Sequence, residues 1–137
     1  MSFREKTAWI SLLTTGLIYG WYFLTAHPFD AAGAAEAAPL LRLAILLTIA
    51  QIASITVLAT LSPRDAKAPL DEREALIALK GSRAAYAVLV AGALGSCVAG
   101  LHFGIGGMAL ANFILLALVA AELAKQAFQI LHFRRGA

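Results

Sequence analysis

The stretch "AAYAVLVAGALGSCVAGLHFGIGGMALANFILLALVAA", residues 84–121, decides the fold because it contains no Asp, Glu, Lys or Arg. As one helix its 38 residues would extend about 57 Å, whereas the hydrocarbon core of a bilayer is about 30 Å thick. We therefore predict that the stretch crosses a membrane twice. The reversal is expected at "HFGIGG", His102 to Gly107, because its three glycines tolerate the positive φ values of a tight turn.

The rest of the chain is similarly apolar. Hydrophobic residues make up 61% of the 137 residues, against roughly 45–50% in soluble domains. A cleaved signal peptide is the competing interpretation of the first apolar run, but its 20 uncharged residues exceed the usual apolar length of about 7–15, which favours retention. The predicted fold is all-α, an integral membrane four-helix bundle forming a single domain, residues 1–137, with spans at about 7–26, 41–61, 83–102 and 107–131 and a cytoplasmic loop at 62–82.

The distribution of basic residues predicts the orientation of these spans. With four spans, ten of the eleven Lys and Arg residues fall on one side and Arg42 falls on the other. Because Lys and Arg accumulate in cytoplasmic loops, both termini are predicted to be cytoplasmic in a bacterial inner membrane. This topology accounts for the net charge of +3 without a nucleic-acid partner. The single cysteine, Cys97, allows no internal disulfide and no CxxC redox pair.

Small residues at four-residue spacing predict close helix packing. In lipid, helices associate largely where small side chains let their backbones approach. We favour packing inside one bundle, with a homodimer interface as the alternative. The residues concerned are Gly16, Gly20, Gly92, Ser96 and Gly100.

Charge is concentrated in "APLDEREALIALKGSRAAY", residues 68–86. Asp71 and Glu74 form a D-x-x-E pattern that predicts a capped helix start. Glu122 is expected to pair with Lys125 one turn away, with Arg73 or Lys80 as a further partner. Besides this structural interpretation, the acids could bind a divalent cation, or the exposed charges could dock a cytoplasmic protein. The predicted docking residues are Asp71, Glu72, Arg73, Glu74, Lys80, Arg83, Glu122 and Lys125.

Few other residues suggest chemistry. Gln51 and Asn112 are polar residues within the spans, where such side chains more often join helices than bind ligands. His27 and His102 fall at the outer ends of two spans, where a pair could ligate haem or a metal. The sequence contains no HExxH, phosphate-binding loop or nucleophile elbow, so we predict no enzyme activity and no required cofactor.

Two segments together resemble a known family. "DEREALIALKGSRAAYAVL" (71–89) and "ALVAAELAKQAFQILHFRRG" (117–136) resemble an uncharacterised four-span bacterial inner-membrane protein family, of the domain-of-unknown-function type, with a D-E-R-[DE] motif before the third span. The resemblance implies a membrane-tethered regulatory role beside small helix-turn-helix regulators. It supplies no catalytic residue.

Three functional hypotheses follow. The leading one is a non-enzymatic regulatory or accessory subunit that docks a cytoplasmic or membrane protein through residues 71–83 and 122–135. The second is a small dimeric transporter or channel that uses Gln51 or Asn112. The third is a haem-binding electron-transfer protein that uses His27 and His102.

Overall fold

The computed structural model describes residues 3–25, 37–61, 63, 71–105 and 107–135. These residues form four α-helices and no strand, which confirms the all-α prediction. Helices α3 and α4 are each long and apolar enough to cross a membrane, and α2 contains a shorter apolar stretch, Ile45–Leu61. The helices are α1 (Phe3–Thr25), α2 (Ala37–Leu61), α3 (Glu72–Phe103) and α4 (Gly107–Arg135).

The first residues of α2 and α3 differ from the sequence prediction. Helix α2 begins at Ala37 rather than at residue 41, so Pro39 lies in its first turn, where a proline removes no intrahelical hydrogen bond. Asp71 precedes α3 in an extended conformation, but its side chain makes no capping hydrogen bond. The predicted side-chain cap at Asp71 is therefore absent, and the Glu74 carboxylate accepts a hydrogen bond from Arg4.

The reversal between α3 and α4 lies at the predicted glycines. Helix α3 ends at Phe103, and Gly104 follows in the left-handed region with φ 65°. Gly107 begins α4 with φ 59°. A side chain at either position would be strained, so the expectation of a glycine-dependent turn is confirmed.

Helices α3 and α4 pack together closely and in opposite directions. A methyl group added to Gly92 would lie 2.5 Å from the Ala117 Cβ, and one added to Gly81 would lie 2.8 Å from the Gln129 Cγ. Ser96 is buried and donates its hydroxyl to the Gly92 carbonyl. Gly100 is close to the turn itself, with the Ile105 carbonyl oxygen 3.2 Å from an added Cβ.

The Gly16 and Gly20 pair, in contrast, does not mark a close helix contact. An added Cβ at Gly16 would make an ordinary 3.9 Å contact with Leu123, and one at Gly20 would meet no atom within 4 Å. The GxxxG spacing was therefore misleading here, because the backbone of α1 does not approach another backbone at these residues.

Helix α1 lies between α2 and α4. Its buried face packs against both helices, and the buried side chains at this junction are Tyr19, Tyr22, Leu43 and Val119. Helix α2 packs mainly on α1, while α3 packs mainly on α4. Trp21 is exposed (67%), whereas Tyr22 is 8% exposed and faces the other helices.

Candidate functional site

The start of α1, the start of α3 and the end of α4 meet at one end of the bundle. Arg4 Nε donates to Glu74 Oε2 across 2.9 Å, and the two side chains are 42% and 20% exposed. Beside this pair lies a cavity of about 350 Å³ with mixed polar and apolar walls. We call it the terminal cavity, and its lining residues are Phe3, Arg4, Thr7, Ala8, Ser11, Glu74, Ala78, Lys125, Gln126, Gln129 and Phe133.

A second cavity lies further from the termini, at the level where all four helices contribute side chains. Its volume is about 470 Å³ and most of its walls are apolar. We call it the central cavity, and it is lined by Thr15, Tyr19, Leu47, Gln51, Ala85, Tyr86, Leu89, Leu118, Val119, Ala121 and Glu122.

Hydrogen-bonded side chains connect the two cavities at two places. Ser11, in the wall of the terminal cavity, donates its hydroxyl to Gln51 Oε1 (3.1 Å), and Gln51 Nε2 donates to Thr15 Oγ1 (3.2 Å). Gln51 and Thr15 both line the central cavity. These bonds also join α1 to α2, as interhelical amide bonds do in membrane bundles.

The second connection lies within α4. Gln126 Nε2 donates to Glu122 Oε1 across 2.7 Å, and Lys125 Nζ is 3.3 Å from the same oxygen. Lys125 and Gln126 line the terminal cavity, whereas Glu122 lines the central one. The partition between the cavities is therefore made of polar side chains that bond to each other.

The partner of Glu122 differs in part from the prediction. Its i,i+3 pair with Lys125 is confirmed. However, Gly81 faces Gln129 and Gly92 faces Ala117, so Glu122 lies level with Tyr86 of α3. Arg73 is 13 residues before Tyr86, about 20 Å along the helix, which is too far to pair with Glu122.

The eight predicted docking residues do not form one surface. Glu74 and Lys125 line the terminal cavity and Glu122 lines the central cavity. At the surface of α3, Lys80 is partly exposed, and the exposed residues are Asp71, Glu72, Arg73 and Arg83.

Gln51 and Asn112 occupy separate places. Asn112 is 1% exposed, and its Oδ1 accepts a 2.8 Å hydrogen bond from the Tyr22 hydroxyl. Its amide nitrogen donates to the Met108 carbonyl. Asn112 therefore joins α1 to α4 near the turn, while Gln51 joins α1 to α2 beside the central cavity.

Of the two histidines in the haem hypothesis, the structure describes His102. His102 is exposed in the last turn of α3, with its ring 4.8 Å from that of Phe103. His27 lies outside the described residues, as do residues 62 and 64–70 of the predicted loop 62–82. Within the described parts of the chain, no three His, Cys, Asp or Glu side chains come together as a metal site would require.

Sequence reasoning missed the polar face of α1. Arg4, Ser11, Thr15 and Tyr22 recur at spacings of four or seven residues, which places them along one side of a helix. That periodicity was a usable signal. It would have indicated that the buried side of α1 carries hydrogen-bonding groups along its whole length.

The function of the chain is inferred from this geometry and not from similarity to a known protein. No protein-family model, curated protein or solved structure matches the chain, and the family resemblance therefore stays a prediction.

Proposed function

We propose that the protein is a four-span inner-membrane protein with both termini in the cytoplasm, and that it acts as a non-enzymatic regulatory or accessory subunit. It docks a cytoplasmic partner through the exposed charges at the start of α3 and through the end of α4.

Helix lengths and charge positions support this topology. Helices α1 and α2 contain 23 and 25 residues and so extend about 35 Å or more, enough for a hydrocarbon core of about 30 Å. Among the described Lys and Arg residues, only Arg42 belongs to the end of the bundle opposite the termini. The positive-inside rule then places the termini in the cytoplasm.

One observation carries the docking proposal. Asp71 and Glu72 are exposed at the first turn of α3, and the Asp71 carboxylate makes no capping bond. Arg73 is exposed in the same turn, and Arg83 is exposed about three turns further along α3. A cluster of exposed charges of both signs can select a partner by complementary charge.

The test is charge reversal at this face. Glu74 is left intact because it pairs with Arg4. We expect the double variant Asp71→Lys/Glu72→Lys, purified from its native membrane in mild detergent, to lose a partner that the wild-type chain retains. Arg42→Glu changes a charge at the opposite end and is the matched control, so it should retain the partner. Identical sets of co-purifying proteins for both variants, at unchanged thermal stability, would contradict the docking proposal.

A small transporter or channel is the second candidate, favoured by the polar side chains that connect the two cavities. Opening of this polar partition would let a polar or charged solute pass between the cytoplasmic end and the middle of the bundle. We expect Gln51→Leu to reduce solute flux into proteoliposomes, because it removes the bonds to Ser11 and Thr15. Ser54→Ala is the control, since the Ser54 hydroxyl bonds only within α2, to the Ala50 carbonyl. Equal flux through both variants would argue against this candidate.

A further inference from the structure

We propose that the central cavity binds a lipophilic organic cation, with the Glu122 carboxylate as its counter-charge. The inference rests on the four-span arrangement proposed above, which places the cavity at bilayer depth. It also names a substrate class for the transporter candidate, and it is independent of the docking face.

The walls of the central cavity carry a negative charge. Among the described residues that line the central cavity, Glu122 is the one with a carboxylate, and no Lys or Arg lines it. Glu122 is 15 residues from the start of α4, roughly 22 Å along a span of about 30 Å. An ionisable group at that depth is costly without a counter-charge. An anion would be repelled by this carboxylate, whereas a cation would be attracted to it.

The remaining walls of the central cavity are mainly apolar and aromatic. Leucine, valine and alanine side chains from α2, α3 and α4 face the cavity, and Tyr19 and Tyr86 contribute aromatic rings from α1 and α3. A small hydrated cation would lose most of its water shell there, with Glu122 as its one charged ligand among the described lining residues. A cation with apolar substituents would bury them against these walls and place its charge near tyrosine rings. The volume of about 470 Å³ is that of a small-molecule site.

The ion pair between Glu122 and Lys125 is a loose one. Lys125 Nζ lies 3.3 and 3.5 Å from the two carboxylate oxygens, at the long end of the hydrogen-bond range, and the Glu122 side chain is 40% exposed. Lys125 itself lines the other cavity. Gln126, at 2.7 Å, holds the carboxylate in place. A bound cation can therefore replace Lys125 at the carboxylate, which makes Lys125 an internal competitor.

The route to the site follows from helix packing. Helix α2 packs mainly on α1 and α3 mainly on α4, so α2 and α3 flank the central cavity without packing closely on each other. Leu47 of α2 and Tyr86 of α3 both lie in its wall. A lipophilic cation dissolved in the bilayer can reach the carboxylate between these two helices.

The experiment uses the full-length chain in phosphatidylcholine nanodiscs with tetraphenylphosphonium as the probe, measured by calorimetry. Triphenylphosphine oxide serves as the neutral comparator. We expect saturable binding of the cation and at least about tenfold weaker binding of the oxide, as follows from losing a charge–carboxylate contact of some 1.4 kcal/mol.

Variants separate a binding role of Glu122 from a structural one. We expect Glu122→Gln to weaken cation binding by about tenfold or more and Lys125→Gln to tighten it several-fold, because the first removes the counter-charge and the second removes the competitor. Glu72→Gln removes an exposed carboxylate outside the cavity and should leave binding unchanged. If Glu122→Gln fails to fold, Lys125→Gln and the neutral comparator still decide the question.

Three results would overturn the proposal: equal binding of the cation and the oxide, unchanged binding in Glu122→Gln, or weaker binding in Lys125→Gln. Each of them would leave the docking proposal intact, since that depends on Asp71 and Glu72. Loss of a docking partner in the charge-reversal variant would likewise not alter binding in the central cavity.

Discussion

The Arg4 guanidinium and the Glu74 carboxylate lie 2.9 Å apart and connect the first turns of α1 and α3, although the two residues are 70 positions apart in sequence. This contact fixes the ends of two helices that run in the same direction.

Neutralising this pair should have a small effect on stability. Because both side chains are partly exposed, we expect Arg4→Gln or Glu74→Gln to lower the free energy of unfolding by about 1 kcal/mol or less. The swapped variant Arg4→Glu/Glu74→Arg should recover part of the loss. Thermal melting in detergent measures both effects, with Glu72→Gln as the exposed control. A loss of several kcal/mol would mean that the pair is far less hydrated than its exposure indicates.

The α3–α4 contact gives a sharper prediction. Gly92→Ala places a Cβ 2.5 Å from that of Ala117, and such overpacking costs about 1–3 kcal/mol. The matched control is Gly95→Ala on the same helix, where an added Cβ meets no atom within 4 Å. There, alanine should be neutral or stabilising by up to about 1 kcal/mol through its higher helix propensity.

A second substitution identifies the cause of the Gly92→Ala effect. If the clash with Ala117 is responsible, Ala117→Gly should restore stability in the Gly92→Ala background and lower it in the wild-type background. Equal melting temperatures for Gly92→Ala and Gly95→Ala would show that the two helices do not approach this closely.

The hydrogen bond from Tyr22 to Asn112 should matter to stability. Tyr22→Phe removes the hydroxyl that donates to Asn112 Oδ1 at a site that is 1% exposed, and the loss of an intramolecular hydrogen bond costs about 0.5–1.5 kcal/mol. Tyr86→Phe makes the same chemical change at a tyrosine that is 69% exposed and should change the melting temperature little. Similar losses in both variants would indicate that the lost hydroxyl matters for reasons other than this bond.

Membrane topology is testable by cysteine labelling in spheroplasts. In a Cys97→Ala background, Arg42→Cys should react with a membrane-impermeant maleimide from outside, whereas Glu72→Cys should react only after the membrane is permeabilised. This result follows if the basic end of the bundle faces the cytoplasm. External labelling of Glu72→Cys in intact spheroplasts would reverse the proposed orientation.

The sequence predicted those features that depend on local composition. The uncharged run 84–121 was too long for one crossing, and its glycines lie where α3 turns into α4 with φ 65° at Gly104. The i,i+3 pair of Glu122 and Lys125 followed from helix geometry alone.

The features that depend on how helices are placed against one another were not predictable in this way. The partner of Glu74 depends on where the first turn of α1 lies relative to that of α3, which no local pattern encodes. The Gly16 and Gly20 spacing has the form of a close-packing motif, but neither residue makes a close contact within the described part of this chain, whereas the predicted Gly92 and the unpredicted Gly81 do. Spacing shows which residues share a helix face, but it does not show which face meets another helix.

The short turn at Gly104 and Gly107 has a consequence for the order in which the chain assembles. It brings together α3 and α4, the helices with the closest packing, by closing a loop of only a few residues, so the entropy lost in joining them is small. Helices α1 and α4, in contrast, are separated in sequence by most of the chain. We therefore expect α3 and α4 to form a hairpin first and to present the surface on which α1, carrying α2 with it, later docks.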